Sequence, residues 1–255
     1  MVTIDRLNTA VRDLASGPLR RHGLFISALA GGAVLRLLAL FGFPGVLWFT
    51  GDSYFYLEYA RHLRPSPSKT LGYSFVLRLL EPLHSFVVVA VLQHLMGLTV
   101  TVLIYVLLRR AGLPAWAGTL LTLPLLYDAY QIELEHLLMS ESLFTLLITV
   151  AVAMLLWRPR PSWQVAAGAG LLLGYAVVVR SAGAGVVPVL LGCLIVRRAG
   201  WKACTAIAAA SALPLAGYAM WFHAARGTYS LTTSEGLFLW GRTASFANCA
   251  KMKPP

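Results

Sequence analysis

Charge is scarce in this chain, and acid is scarcest of all. Only 12% of its 255 residues are charged, where a soluble domain has roughly 25%. An ordinary soluble fold is therefore excluded. With 58% hydrophobic residues and a mean hydropathy of +0.71, the chain reads as a polytopic membrane protein. Cysteine is nearly absent too. Cys193 and Cys204 fall in or beside apolar runs and read as small packing residues. Cys249 has no partner readable in this chain, and on an exported segment it would pair elsewhere. No internal repeat, low-complexity linker or secretory signal is visible. The first 22 residues are polar and basic, and no small-residue cleavage site follows the first apolar run.

What the chain does have is apolar runs. Seven are candidates to cross a core of about 30 Å. They run from Leu24 to Phe43, His84 to Leu108, Ala115 to Leu126, Ser142 to Trp157, Gln164 to Val179, Ala182 to Val196 and Ala203 to Phe222. The third is short and is expected to begin at Leu113 and continue past Tyr127. In lipid every backbone group must be satisfied within the span, so the expected fold is all-α, a bundle of about seven transmembrane helices. The formal charge of +11 suggests nucleic acid until its distribution is read. With the N-terminus in the cytoplasm, Arg6, Arg12, Arg20 and Arg21 fall inside. So do Arg109 with Arg110, Arg158 with Arg160, and Arg197 and Arg198 with Lys202. Of the acids, only Asp5 and Asp13 share that side. This is the positive-inside pattern, so the basicity encodes topology in a cell membrane and no nucleic-acid partner is implied.

The sequence divides into a basic N-terminus (1–23), a membrane module (24–222) and the start of an exported segment (223–255). The abrupt end of that segment suggests the front part of a longer protein. The first exported loop carries two expected interfacial helices, Asp52 to Leu63 and Tyr73 to Leu80, separated by Pro65-Ser66-Pro67-Ser68.

The chemistry-bearing residues gather on the exported side. Gly51-Asp52-Ser53-Tyr54 sets a carboxylate in an aromatic cluster of Trp48, Phe49, Tyr54, Phe55, Tyr56 and Tyr59. Asp52 reads either as a helix cap or as a general base, and the two roles are compatible. Lys69 reads as a snorkelling residue or as a point charge for a lipid-linked phosphate. Gly72 would let backbone approach a ligand closely. The second exported loop holds Asp128, Glu133, Glu135, His136 and Glu141 within fourteen positions. If the segment is one helix, Asp128, Ile132 and Glu135 share a face, as do His136, Glu133 and Ser140. No His-x-x-x-His or cysteine pair accompanies them, so a divalent metal is open but unsupported and no cofactor is required. Glu141 opens a strongly apolar run and calls for a partner or a function. Arg36, inside the first span, needs an acid, and Glu141 is a candidate. Arg36 and Arg180 can each serve a phosphate bidentately.

With these residues named, the chain resembles the GT-C superfamily of polyprenyl-phosphate-sugar-dependent glycosyltransferases, in its protein O-mannosyltransferase and lipid A aminoarabinose transferase branch. The features match in order. They are Arg36 followed by Gly51-Asp52-Ser53-Tyr54, the run from Lys69 to Tyr73, Asp128 after span three, and Ser140-Glu141-Ser142-Leu143-Phe144 opening span four. Arg180, Gly183 and Pro188 resemble the start of a later span. The resemblance extends from about Leu24 to Trp221. Members often carry a second acid beside the first, where this chain has Ser53. The resemblance implies an inverting membrane glycosyltransferase of the cell envelope. Its donor would be a polyprenyl-phosphate sugar, and its acceptor a glycan, lipid or protein. It implies Asp52, Asp128 and Glu141 as catalytic residues, Lys69, Arg180 and Arg36 at the donor phosphate, and Tyr54, Tyr73, Glu135 and His136 as substrate contacts. The alternative from another class is a secondary transporter or channel-like protein, which would place acids or broken helices at mid-bilayer in symmetric halves.

Overall fold

The computed structural model describes residues 22–246, and these are helical apart from their connections and one isolated bridge. Arg6, Arg12, Arg20, Arg21, Asp5, Asp13 and Cys249 lie outside the described residues. In chain order the helices are α1 (Gly23–Gly42), α2 (Asp52–Arg61), α3 (Gly72–Leu80), α4 (Phe86–Arg110), α5 (Ala115–Tyr127), α6 (Ala129–His136), α7 (Glu141–Leu156), α8 (Trp163–Val179), α9 (Val186–Val196), α10 (Trp201–Arg226) and α11 (Glu235–Thr243). Short 3-10 turns precede α4 and α9.

Each of the seven apolar runs forms a helix. Three of them, α1, α4 and α10, are long and apolar enough to cross a membrane, and the other four are shorter. The amphipathic helices of the first loop also form, as α2 and α3. The third run departs from expectation, because helix does not continue through Tyr127. Asp128 sits in extended conformation, and its side chain accepts from the Tyr130 backbone N–H, so it starts α6 as a new helix. α6 then ends at His136, so Ser140 is not on its face, and Asp128 stands before the helix and not on it.

The densest packing joins α8 to α10. A side chain at Gly170 would meet the Ile207 carbonyl at 2.6 Å, and one at Gly174 would meet the Ser211 carbonyl at 2.3 Å. Small residues let the two backbones touch, which is how helices associate where lipid removes the usual hydrophobic drive. At one end of the bundle the arginines gather. Arg110 stacks on Trp157 and donates to its carbonyl at 2.7 Å, and Arg197 donates to the Arg158 carbonyl at 3.2 Å.

A buried ion pair ties α1 to α6. Arg36 donates from Nε and Nη2 to the two oxygens of Glu135, at 2.6 and 2.7 Å. Its remaining N–H groups go to the carbonyls of Gly32, Leu125 and Leu126. Arg36 therefore pairs with Glu135 and not with Glu141, and caps the C-terminal carbonyls of α5, where helical partners run out. All five guanidinium donors are engaged, so none is left for a phosphate.

The network continues through imidazoles. His94 Nδ1 lies 3.0 Å from Glu135, His94 Nε2 lies 2.9 Å from His136 Nδ1, and His136 Nε2 faces the Phe43 carbonyl at 2.9 Å. Both ends of this relay are acceptors when Glu135 is ionised. Gly97 makes room for Glu135, since a Cβ there would lie 1.9 Å from its Oε1.

An Arg36→Met/Glu135→Met double variant should be more stable than the sum of the single losses allows, with a coupling of about 0.5–3 kcal/mol. Each single variant buries an unpaired group, whereas the double removes both charges. Thermal unfolding of the four proteins in detergent measures this, and additive losses would contradict it.

Candidate functional site

Four features of the fold place α2. Leu47 donates to the His136 carbonyl at 2.9 Å and accepts from Leu138 N–H at 3.0 Å, forming the one isolated bridge among the described residues. Ser53 is fully buried, accepts from Phe49 N–H and donates to the Leu138 carbonyl at 3.0 Å. Tyr73 donates to Gln93, whose amide donates to the carbonyls of Glu135 and Leu137. Ser74 donates to the Tyr56 carbonyl at 2.9 Å. The loop between α1 and α3 is thus fixed to the segment that opens α7, so Asp52 and Glu141 both come within electrostatic reach of Tyr56.

The loop after α2 is fixed from the other side. Arg226 donates to the Pro65 carbonyl at 3.0 Å and Thr233 N–H to the Pro67 carbonyl at 2.8 Å. Gly72 then meets the end of α8. A Cβ there would fall 2.6 Å from Val179 N and 2.7 Å from the Val178 carbonyl. The close approach expected of Gly72 is made to a neighbouring helix and not to a ligand. It brings the Lys69 loop against Arg180.

The result is a groove of about 270 Å³ walled by Asp52, Tyr56, Ser68, Lys69, Thr70, Arg180, Phe238 and Arg242, among others. Lys69 donates to Asp52 Oδ1, with both side chains about 30% exposed, and stands over the rings of Phe55 and Tyr56. Arg180 donates to Glu141 Oε1 and stands over Phe144. The other carboxylate oxygen of Glu141 is buried without a hydrogen-bond partner among the described residues. Tyr56, one helical turn from Asp52, shares a hydrogen bond of 2.9 Å with Ser140. Burial holds its phenol above the ordinary range, with Glu141 and Asp52 adding to the effect and Ser140 and Arg180 opposing it. It remains a neutral hydroxyl at physiological pH.

The residues singled out from sequence separate into two groups. Asp52, Lys69 and Arg180 line the groove, and Glu141 backs it through Arg180. Asp128 does not join them; it is exposed and caps α6. Arg36, Glu135 and His136 belong to the buried network, at 2%, 0% and 2% exposure, and do not reach the groove. Tyr73 is buried on Gln93, and Tyr54 points the other way, stacked on Trp48. Sequence reasoning missed Tyr56 as a wall residue, although its spacing of four from Asp52 puts both on one helix face. It gave low weight to Arg242, as nearer solvent than Arg36 and Arg180, and nothing in the sequence placed Phe238 there.

Among the described residues no three His, Cys, Asp or Glu side chains cluster as a metal centre would need. What the groove offers is a carboxylate, a neutral phenol and three cations in one open concavity. That set can hold an anion and accept a proton from a hydroxyl beside it. No family model matches the chain, and neither a curated protein nor a solved structure does.

Gly72→Ala is the most direct disturbance of this assembly that leaves every charge in place. It should separate the Lys69 loop from the end of α8. A disulfide between cysteines introduced at Thr70 and Ser181 reports this: efficient cross-linking in the parent should be lost in the Gly72→Ala protein. Undiminished cross-linking would contradict the role given to Gly72.

Proposed function

We propose that this chain is the membrane module of a GT-C-type glycosyltransferase, moving a sugar from a polyprenyl-phosphate donor to an acceptor hydroxyl or amine on the exported face. The observation that carries this reading is the convergence of Asp52, Lys69 and Arg180 in one groove. They come from a loop-borne helix, the loop after it and the far end of α8. A polyprenyl phosphodiester already has an acceptable leaving group. The catalyst must chiefly activate the nucleophile and hold the phosphate. Asp52 supplies the first by taking the acceptor's proton as the new glycosidic bond forms. Lys69 and Arg180 supply the second by stabilising the charge that develops on the departing lipid phosphate.

In this reading all seven apolar helices cross the membrane, four of them short or interrupted, with the N-terminus in the cytoplasm. The gathering of Arg110, Arg158 and Arg197 at one end supports that sidedness, since those residues bound the expected cytoplasmic turns. The transporter alternative draws on the buried Glu135–His94–His136 relay, the kind of group that marks proton pathways. The relay is closed at one end by Arg36 and at the other by a backbone carbonyl, which favours a structural role for it.

Sidedness is tested by cysteine labelling at His62, which is exposed in the loop after α2, on a background lacking Cys193, Cys204 and Cys249. An impermeant maleimide should label intact cells from outside. Labelling only after permeabilisation would contradict the orientation.

Chemistry is tested with labelled undecaprenyl- or decaprenyl-phosphate sugar and the full-length protein in membranes. Asp52→Asn should lower transfer by the roughly 10²–10⁴-fold that a positioned base contributes, while donor binding is not weakened. Undiminished transfer by Asp52→Asn would end the general-base assignment, and use of a nucleotide sugar would end the family reading.

A further inference from the structure

Three cations and one carboxylate line the groove, and they are not equivalent. Lys69 is held by Asp52, and Arg180 by Glu141 standing behind it. Arg242 makes no ion pair or hydrogen bond among the described side chains, although it lies on the same wall. Each of those cations has one N–H donated to a carboxylate that offsets its charge, so an anion competes there with a carboxylate. Arg242 meets no such competition. With Glu141 included, the site carries three positive and two negative groups, an excess of one positive charge.

α11 also fixes where that charge sits. Phe238 is one turn before Arg242, and both line the groove, as their spacing of four requires. On its other sides α11 exposes Leu237, Leu239 and Trp240, at 68%, 64% and 48%. Exposed apolar and aromatic residues beside an Arg are the composition of a helix that lies in a membrane interface. In that setting Arg242 would meet a lipid at its phosphate. α11 lies beyond the stretch from Leu24 to Trp221 that carries the family resemblance, so the resemblance assigns nothing to it.

We propose that Arg242 is a third phosphate-binding residue of this groove, the one that meets a lipid-borne phosphate monoester or diester with a charge no carboxylate offsets. Lys69 turns its remaining N–H groups to the same phosphate, and where its bond to Asp52 is given up that carboxylate is left free for an acceptor hydroxyl. The inference rests on the lipid-phosphate reading of the groove. It adds a residue and an order of preference among the cations.

The test is binding of a short isoprenyl phosphate to the full chain in uncharged nanodiscs, by calorimetry, with inorganic phosphate in a second arm. Arg242→Gln should weaken binding of the isoprenyl ester about tenfold, the worth of one charged hydrogen bond at the weak end of its range, as suits an exposed residue. Arg242→Lys should restore much of it. Asp52→Asn should tighten binding by releasing Lys69, and should recover affinity when added to Arg242→Gln. A merely structural Arg242 would not be rescued in that way. If Arg242→Gln binds as the parent does while Lys69→Ala is weakened, the inference is overturned and the lipid-phosphate reading stands. If the parent binds the ester no better than the Lys69→Ala/Arg242→Gln double variant does, both fall. If inorganic phosphate binds as tightly as the ester, a lipid-borne ligand is ruled out.

Discussion

The Arg36–Glu135 ion pair is the constraint on which the rest of the structure hangs. A charge taken out of water at this depth must be met by an opposite charge and by hydrogen bonds on every remaining donor, or the group is not buried at all. Here the guanidinium meets a carboxylate and three backbone carbonyls, and in doing so binds α1 to α5 and α6. Through His94 the carboxylate also reaches α4. The segment that leaves this knot, from His136 to Ser140, is the one to which Leu47, Ser53 and Tyr56 attach. The position of Asp52 is thus inherited from an ion pair that does not itself touch the groove.

Two charge systems result, with different chemistry. The buried one is saturated: each donor of Arg36 has an acceptor, and both nitrogens of His94 and of His136 are engaged. The groove system is open. Its ion pairs are about a quarter to a third exposed, one oxygen of Glu141 is unmatched and Arg242 is unpaired among the described side chains. Saturation rigidifies and leaves nothing for a ligand, whereas incompleteness is what a ligand can complete. That distinction separates the two systems more surely than residue type does, since each sets an arginine against a glutamate.

Much of the fold was legible in the sequence, because apolar runs and the need to satisfy backbone in lipid dictate where helices form. The helices of the first loop were legible from mixed aromatic and charged residues ended by Pro65 and Pro67. Partner choice was not. Arg36 needed an acid, but which acid depends on the turn of the bundle that faces it, and Glu135 and Glu141 differ there only through the break at Asp128 and the end of α6 at His136. Asp128 stands apart from the groove for the same reason, since its side chain is used to start a helix. Asp52, Lys69 and Arg180 line one groove because each sits where a helix meets a polar loop, and such positions converge when the helices pack. That Arg242 joins them was not legible, because nothing local marks which exposed arginine folds back over a groove.

The most direct test of the central claim is an experimental structure of the full chain in nanodiscs with an isoprenyl phosphate bound. The account predicts the phosphate between Lys69, Arg180 and Arg242, with Asp52 no longer paired to Lys69. A phosphate lodged instead in the cavity of about 260 Å³ on the other side of α2, beside Arg61 and His84, would contradict it.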